Sequence, residues 1–285
     1  MIPPINRPAR MDTLKPLFTH FSLNARVFFS GTLCAPVDFI DEPGCGYLHV
    51  LRQGSLRMMG HTVETVEIDQ PSLLLLPRPT PHRFYVDNPD GANLVCAYID
   101  FGGINGNPLL AALPEVFLAK MQALPGIESI VACLFEEGLN QHPGRQGAID
   151  RLMEYCMILL LRHAMEQQVI QGGVLAGLAD AKLARCITAL HEKPEHPWTL
   201  EEMAEQALMS RAAFAKHFHN VVQITPYDYL TDWRICMARV LLKKGKSLKM
   251  VAPMVGYGTP SALIKVFSKK MGVSPLQWLE QHQSG

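Results

Sequence analysis

The chain has no net charge, no long apolar run, no paired-cysteine spacing and no low-complexity tract. Apolar stretches such as residues 73–76 and 157–161 are core-sized, well short of the ~18 residues that a membrane span requires. The first residues, Met1-Ile2-Pro3-Pro4, lack the charged-then-apolar layout of a secretory signal. Seven cysteines, an odd number without a CxxC pair, argue against a disulfide framework and for a reducing compartment. A cytoplasmic location without a membrane partner is therefore expected. No period of solenoid length recurs, which excludes a repeat array.

A hydrophobic fraction of 48% with 18% charged residues suits a globular protein with a sizeable core, and 285 residues exceed one typical domain. The zero net charge conceals an asymmetry. From Asp180 onward, 14 Lys+Arg stand against 9 Asp+Glu, while the rest of the chain carries 12 against 17. A locally basic segment can supply phosphate contacts while the remainder stays acidic.

Texture changes along the chain. Residues 27–29, 46–51, 55–58, 72–76, 83–86 and 93–101 read as short strands separated by Gly, Pro, Asp and Asn clusters, the pattern of a sandwich or barrel. Residues 115–124, 127–140 and 148–171 carry apolar side chains at helical spacing, including the stripe Leu152, Cys156, Leu159 and His163. Gly172-Gly173 ends the last of these and opens a small-residue hinge reaching about Gly177. Everything beyond is helical with Pro or Gly breaks. The expected fold is α+β in two domains: a β-barrel domain (1–119) with a helical coupling or dimerisation segment and hinge (120–177), then an all-α domain (178–285).

The all-α segment carries the most informative motif, WTLEEMAEQALMSRAAFAKHF from Trp198. Thr199 is a good N-cap, and Glu201 and Glu202 lie in the first turn, where the helix dipole favours negative charge. Met203, Ala204 and Ala207 form an apolar stripe, with Ala204 small enough for two helices to touch. Ser210 caps a second helix that buries Phe214 and Phe218 and exposes Arg211, Ala212, Ala215, Lys216 and His219. This is the layout of a helix-turn-helix whose second helix enters a major groove. The same layout recurs: Leu248, Val251, Ala252 and Val255, a Gly256-Tyr257-Gly258 turn, then Thr259 capping a helix with Leu263, Val266 and Phe267 inward. Residues 224–242 between the units describe one long helix. Two recognition helices on one rigid linker reach successive grooves about 34 Å apart.

This segment resembles the DNA-binding domain of the AraC-type transcription regulators. The resemblance rests on MSRAAFAKHF from 209, TPYDYL from 225, Arg234 with Ala238 and Leu241-Leu242, and VGYGTPSALIKVFSKKMGVSP from 255, about a hundred residues in all. It implies base-facing positions at Ala212, Ala215 and Lys216 in the first unit and at Ser261, Ile264 and Lys265 in the second. Arg211, Lys269 and Lys270 are implied on phosphates. Two departures stand out: Pro253 inside the first helix of the second unit, and Gln223 where the family has Gly.

Residues 69–82, DQPSLLLLPRPTPH, resemble the second motif of cupin barrels, in which a turn aims a His inward. The likeness covers about residues 26–114 and implies the AraC subgroup with a cupin-like sensing domain. Cupin enzymes begin their metal site with an HxH pair, which this chain lacks. It offers Cys34, His49, His82 and Cys96, a tetrahedral N/S set suited to Zn²⁺, with His61 as a weaker fifth candidate. Ordinary half-buried packing is the competing reading of these residues, and a redox switch at the cysteines is a third.

Three functions follow from different classes. The leading one is a transcription activator and not an enzyme, controlled by a small molecule, metal or redox signal in the barrel. Its expected partners are double-stranded promoter DNA, RNA polymerase, the effector and a second copy of the chain. The alternatives are a cupin-type metal-dependent enzyme with an accessory helical domain, and a constitutive DNA-binding protein with an inert barrel.

Overall fold

The computed structural model describes residues 12–282 apart from 41–43, 61–62, 87, 103–106, 141, 168–169 and 171. These residues divide into two compact units: residues 21–176, and residues 177–285 together with the chain before residue 21. The helical segment after residue 120 falls in the same unit as the barrel. The short helix α1 (Lys15–His20) belongs with the C-terminal unit instead. Among the described residues no helix is long and apolar enough to cross a membrane.

The barrel unit is built from two antiparallel sheets. One has the order β1 (Asn24–Leu33), β8 (Ala92–Asp100), β3 (Gly46–Gln53), β6 (Ser72–Leu76), β9 (Phe117–Lys120). The other runs β2 (Val37–Phe39), β7 (His82–Tyr85), β4 (Leu56–Gly60), β5 (Val66–Ile68). Apolar residues on the facing sides, among them Tyr47, Leu51, Met58, Leu74, Phe84 and Leu94, make one core. Helix α2 (Pro108–Ala112) precedes β9, and α3 (Ile127–Leu139) and α4 (Arg145–Glu166) follow it.

Strand β1 is a sheet edge, and an edge leaves backbone groups that need partners. Helix α4 supplies them: Asp150 Oδ1 accepts from Val27 N (2.7 Å), Glu154 Oε1 from Ala25 N (3.3 Å), and Gln146 Nε2 donates to Val27 O (3.0 Å). The face of α4 that is buried includes Met153, Cys156, Met157, Leu160 and Leu161. Of the stripe expected from sequence, only Cys156 is buried; Leu152, Leu159 and His163 are half-buried at its border. Residues 115–124, expected as helix, instead give β9 and a 3₁₀ turn, because β6 offers a free edge that residues 117–120 complete. The expected hinge after Gly172 is helical, α5 (Gly173–Ala179), and the division between the units falls within it.

The C-terminal unit contains α6 (Leu183–Glu192), α7 (Leu200–Gln206), α8 (Arg211–Val222), α9 (Pro226–Lys243), α10 (Leu248–Met254), α11 (Pro260–Met271) and α12 (Pro275–His282). Thr199 and Glu202 form a reciprocal capping box at α7. Ser210, Thr225 and Thr259 cap α8, α9 and α11 through their hydroxyls, and proline opens α9 and α11. Helix α1 packs here, with Leu17 buried and the His20 ring edge-on to Trp233 at 5.9 Å.

Candidate nucleic-acid interface and barrel interior

Helices α7–α8 and α10–α11 are two copies of one device. In the first, Met209 N donates to Ala204 O (3.0 Å); in the second, Tyr257 N donates to Ala252 O (2.9 Å). Both alanines are buried. The residue before each donor has positive φ, 55° at Leu208 and 81° at Gly256. Phe214 and Phe218 anchor α8, and Leu263 and Phe267 anchor α11. Each recognition helix ends in a left-handed cap, Gln223 at φ 70° and Gly272 at φ 74°. The glutamine departure therefore leaves the backbone geometry intact and places a side chain where the second copy has none. Pro253 is accommodated one residue before the end of α10, on its exposed side.

Ala212, Lys216, Ser261, Lys265 and Lys269 are exposed, and Ala215 and Ile264 are half-exposed. Arg211 and Lys270 differ from the others, since each is tied within the domain: Arg211 Nη1 to Glu201 Oε1, and Lys270 Nζ to Asp232 Oδ1 at 2.6 Å. The Arg211 bond holds the Glu201 carboxyl below its ordinary pKa. A phosphate at either cation must compete with a carboxylate already present.

Arg234, one of the residues that carry the family resemblance, makes contacts that the local sequence pattern does not reveal. From the middle of α9 its Nε donates to Pro194 O and its Nη2 to His196 O, both at 2.7 Å. The guanidinium also lies over the Tyr257 ring at 5.9 Å, and a Cβ at Gly256 would fall 2.7 Å from Nη2. One side chain thus holds the loop entering the first unit and lies under the turn of the second. Its partners are 40 and 38 residues away, beyond any local periodicity.

Inside the barrel, His49 and His82 meet, with Nε2 to Nε2 at 3.0 Å. The His82 Nδ1 lies 2.8 Å from Thr80 O. A carbonyl only accepts, so Nδ1 carries the proton, His82 Nε2 is the acceptor, and His49 Nε2–H donates. His49 Nδ1 is then a buried lone pair without a hydrogen-bond partner among the described residues. Burial, then the neighbouring His82, lowers the His49 pKa well below the ordinary value; burial lowers His82 to about 4 against the Thr80 bond. Both rings are neutral at pH 7.

Cys96 faces His49 across the β3–β8 ladder, and burial pushes its thiol well up. Cys34 is exposed just beyond the end of β1, beside Gly91. The extended stretch from Gly91 to Cys96 in β8 spans about 16 Å at ~3.3 Å per residue, beyond the ~7 Å Cα separation a disulfide tolerates. The structure thus brings His49 and His82 together, with Cys96 across the ladder, and leaves Cys34 apart. No group of three or more metal-type side chains gathers among the described residues. His61 lies outside the described residues.

Comparison with known proteins adds the family. Residues 12–166 match the "Cupin" family model and residues 203–281 match "Helix-turn-helix domain". An HTH-type transcriptional regulator of Haemophilus influenzae is 32% identical over 60% of this chain and 57% of its own length. AlkR, an HTH-type transcriptional regulator of Acinetobacter baylyi, is 32% identical over 62% and 59%. The RCS-specific HTH-type transcriptional activator RclR of Escherichia coli is 28% identical over 82% and 84%. The chain therefore spans a little under three fifths of the first two relatives and most of the third. The cupin match covers more than half of the chain, and with the duplicated helix-turn-helix behind it the chain belongs to the AraC-type regulators that carry an N-terminal cupin domain.

Proposed function

We propose that this chain binds double-stranded promoter DNA through α8 and α11 and regulates transcription under the control of its barrel. The carrying observation is the duplicated turn geometry, Ala204–Met209 and Ala252–Tyr257, which presents two similar helix faces from one α9 scaffold. Lys216 and Lys265 occupy matching exposed positions on those faces. Activation, with RNA polymerase as partner, is the direction favoured by the likeness to a transcriptional activator. The half-buried border of α4, where Leu152, Leu159 and exposed Tyr155 lie, is the face proposed for a second copy of the chain.

Sensing shifts an equilibrium between arrangements of the chain, and an effector does so only by binding one arrangement better than another. Two imidazoles fall short of the four donors that close a structural zinc site, so the proposed signal is a small molecule and no enzymatic step is assigned. Duplexes selected from a random library by the full chain supply the test. Lys216→Ala with Lys265→Ala should weaken the selected site at least ~10-fold at fixed salt and lower the salt slope. Undiminished specific affinity in the double variant would remove α8 and α11 as the reading faces.

A further inference from the structure

The two sheets of the barrel unit each end in an edge strand on one side, β1 and β2. Between them lies a cavity of about 240 Å³, partly open to solvent. Phe28, Phe29 and Leu33 line it from β1, Val37, Asp38 and Phe39 from β2, and Leu94 and Tyr98 from β8. Adjacent residues of a regular strand point to opposite faces, yet Phe28 and Phe29 both reach this space. The β1–β8 register slips between Val27 and Phe29, leaving Phe28 without a ladder partner. Such bulges re-aim side chains beside functional sites.

The rings touch one another and form a continuous aromatic wall to the cavity. Phe28 lies 4.3 Å from Tyr98 and 6.0 Å from Phe39. Ionic groups at the site are already engaged: the Asp38 carboxylate pairs with Arg83 at 2.9 Å, and the Arg26 guanidinium lies 4.7 Å over the Tyr98 ring. Among the described lining residues Asp38 is the one ionic side chain, and it is already paired. The volume falls below the ~300–1,000 Å³ of sites for drug-sized ligands, which limits an occupant to one or two rings.

We infer that the cavity between β1 and β2 is a binding site for a small, uncharged, aromatic molecule, and that this molecule is the effector. The inference rests on the regulator reading for its consequence, though not for the binding itself. Phe39 connects the cavity to the interior. Its ring stacks on His82 (4.8 Å, interplanar angle 8°) and meets His49 edge-on at 5.0 Å. Its strand is three residues long and pairs with β7 alone. An occupant that moves Phe39 therefore disturbs the paired histidines.

Calorimetric titration of the full chain with indole and naphthalene, against the charged analogues benzoate and phenyltrimethylammonium, tests this directly. The neutral probes should saturate one site per chain, and the charged ones should bind at least ~10-fold more weakly. Val37→Trp, which fills the cavity, and Phe28→Ala, which removes a wall, should each abolish or weaken binding ~10-fold or more while circular dichroism stays unchanged. Should one variant misfold, the other carries the comparison. No saturable binding by the neutral probes, equal binding by a charged one, or binding indifferent to the folded variants would overturn the inference. Selection of DNA by the unmodified chain is scored separately, so failure of the pocket and failure of the regulator reading remain distinct.

Discussion

Replacing Arg234 tests whether one side chain fixes the geometry between the two DNA-reading units. Arg234→Ala removes two 2.7 Å bonds from a cation to the Pro194 and His196 carbonyls and uncovers the Tyr257 face. Hydrogen bonds to charged groups contribute about 1.5–3 kcal/mol each. The guanidinium is only half-buried and the freed carbonyls can take up water, so a net loss of about 2–4 kcal/mol is expected. Arg234→Lys, with a point charge in place of the planar fork, should recover about half of that. All three tryptophans, Trp198, Trp233 and Trp278, lie in this unit, so their fluorescence in urea follows its unfolding alone. The more telling assay uses the selected duplex and a version with one base pair inserted between the two half-elements, which turns one groove by about 35° relative to the other. The native chain should lose at least ~10-fold affinity on insertion. In Arg234→Ala the well-spaced site weakens while the insertion penalty shrinks, because the units are no longer held in one phase. A stability loss under about 1 kcal/mol, or an insertion penalty equal to that of the native chain, would refute the reasoning.

Two further outcomes follow from the same structure. His82, neutral and at about 4 when folded against an ordinary 6.5, binds its proton more readily in the unfolded chain. Its contribution is fully present above pH 6.5 and is lost as pH falls toward 4, about 3 kcal/mol in all at 1.36 kcal/mol per unit. The protection of β3 and β7 amides from hydrogen exchange, converted to opening free energies, should fall over that window, and His82→Asn should flatten the fall. Leu208 and Gln223 hold positive φ at 55° and 70°, where their counterparts Gly256 and Gly272 have no Cβ. Leu208→Gly and Gln223→Gly should each stabilise the C-terminal unit by up to ~1 kcal/mol in tryptophan-detected unfolding, and a loss would show that their side chains contribute more than the strain costs.

The C-terminal unit was legible because its determinants are local. Caps at Thr199, Ser210 and Thr259, small residues at Ala204 and Ala252, and aromatic anchors at helical spacing all lie within a turn or two of what they specify. The barrel was legible in outline only. Strands β2 and β5 have three residues each, too few to display a period. Residues 117–120 form a strand because they complete the edge of β6, where Phe117 pairs with Leu75, too distant for any window around Phe117 to display. The cupin likeness implied an inward His82 but not its contact with His49, and the cavity beside them depends on a register slip at Phe28 that leaves no mark in composition. The placement of α1 with the distant half of the chain was equally hidden, since it rests on Trp233 and α6 rather than on its sequence neighbours.

That placement has a mechanical consequence. The backbone passes between the two units twice, once near residue 20 and again near residue 176. Two covalent crossings therefore connect the units, where a simple tandem arrangement would have one. Cleavage between α1 and β1 would leave the two units joined only by the crossing near residue 176.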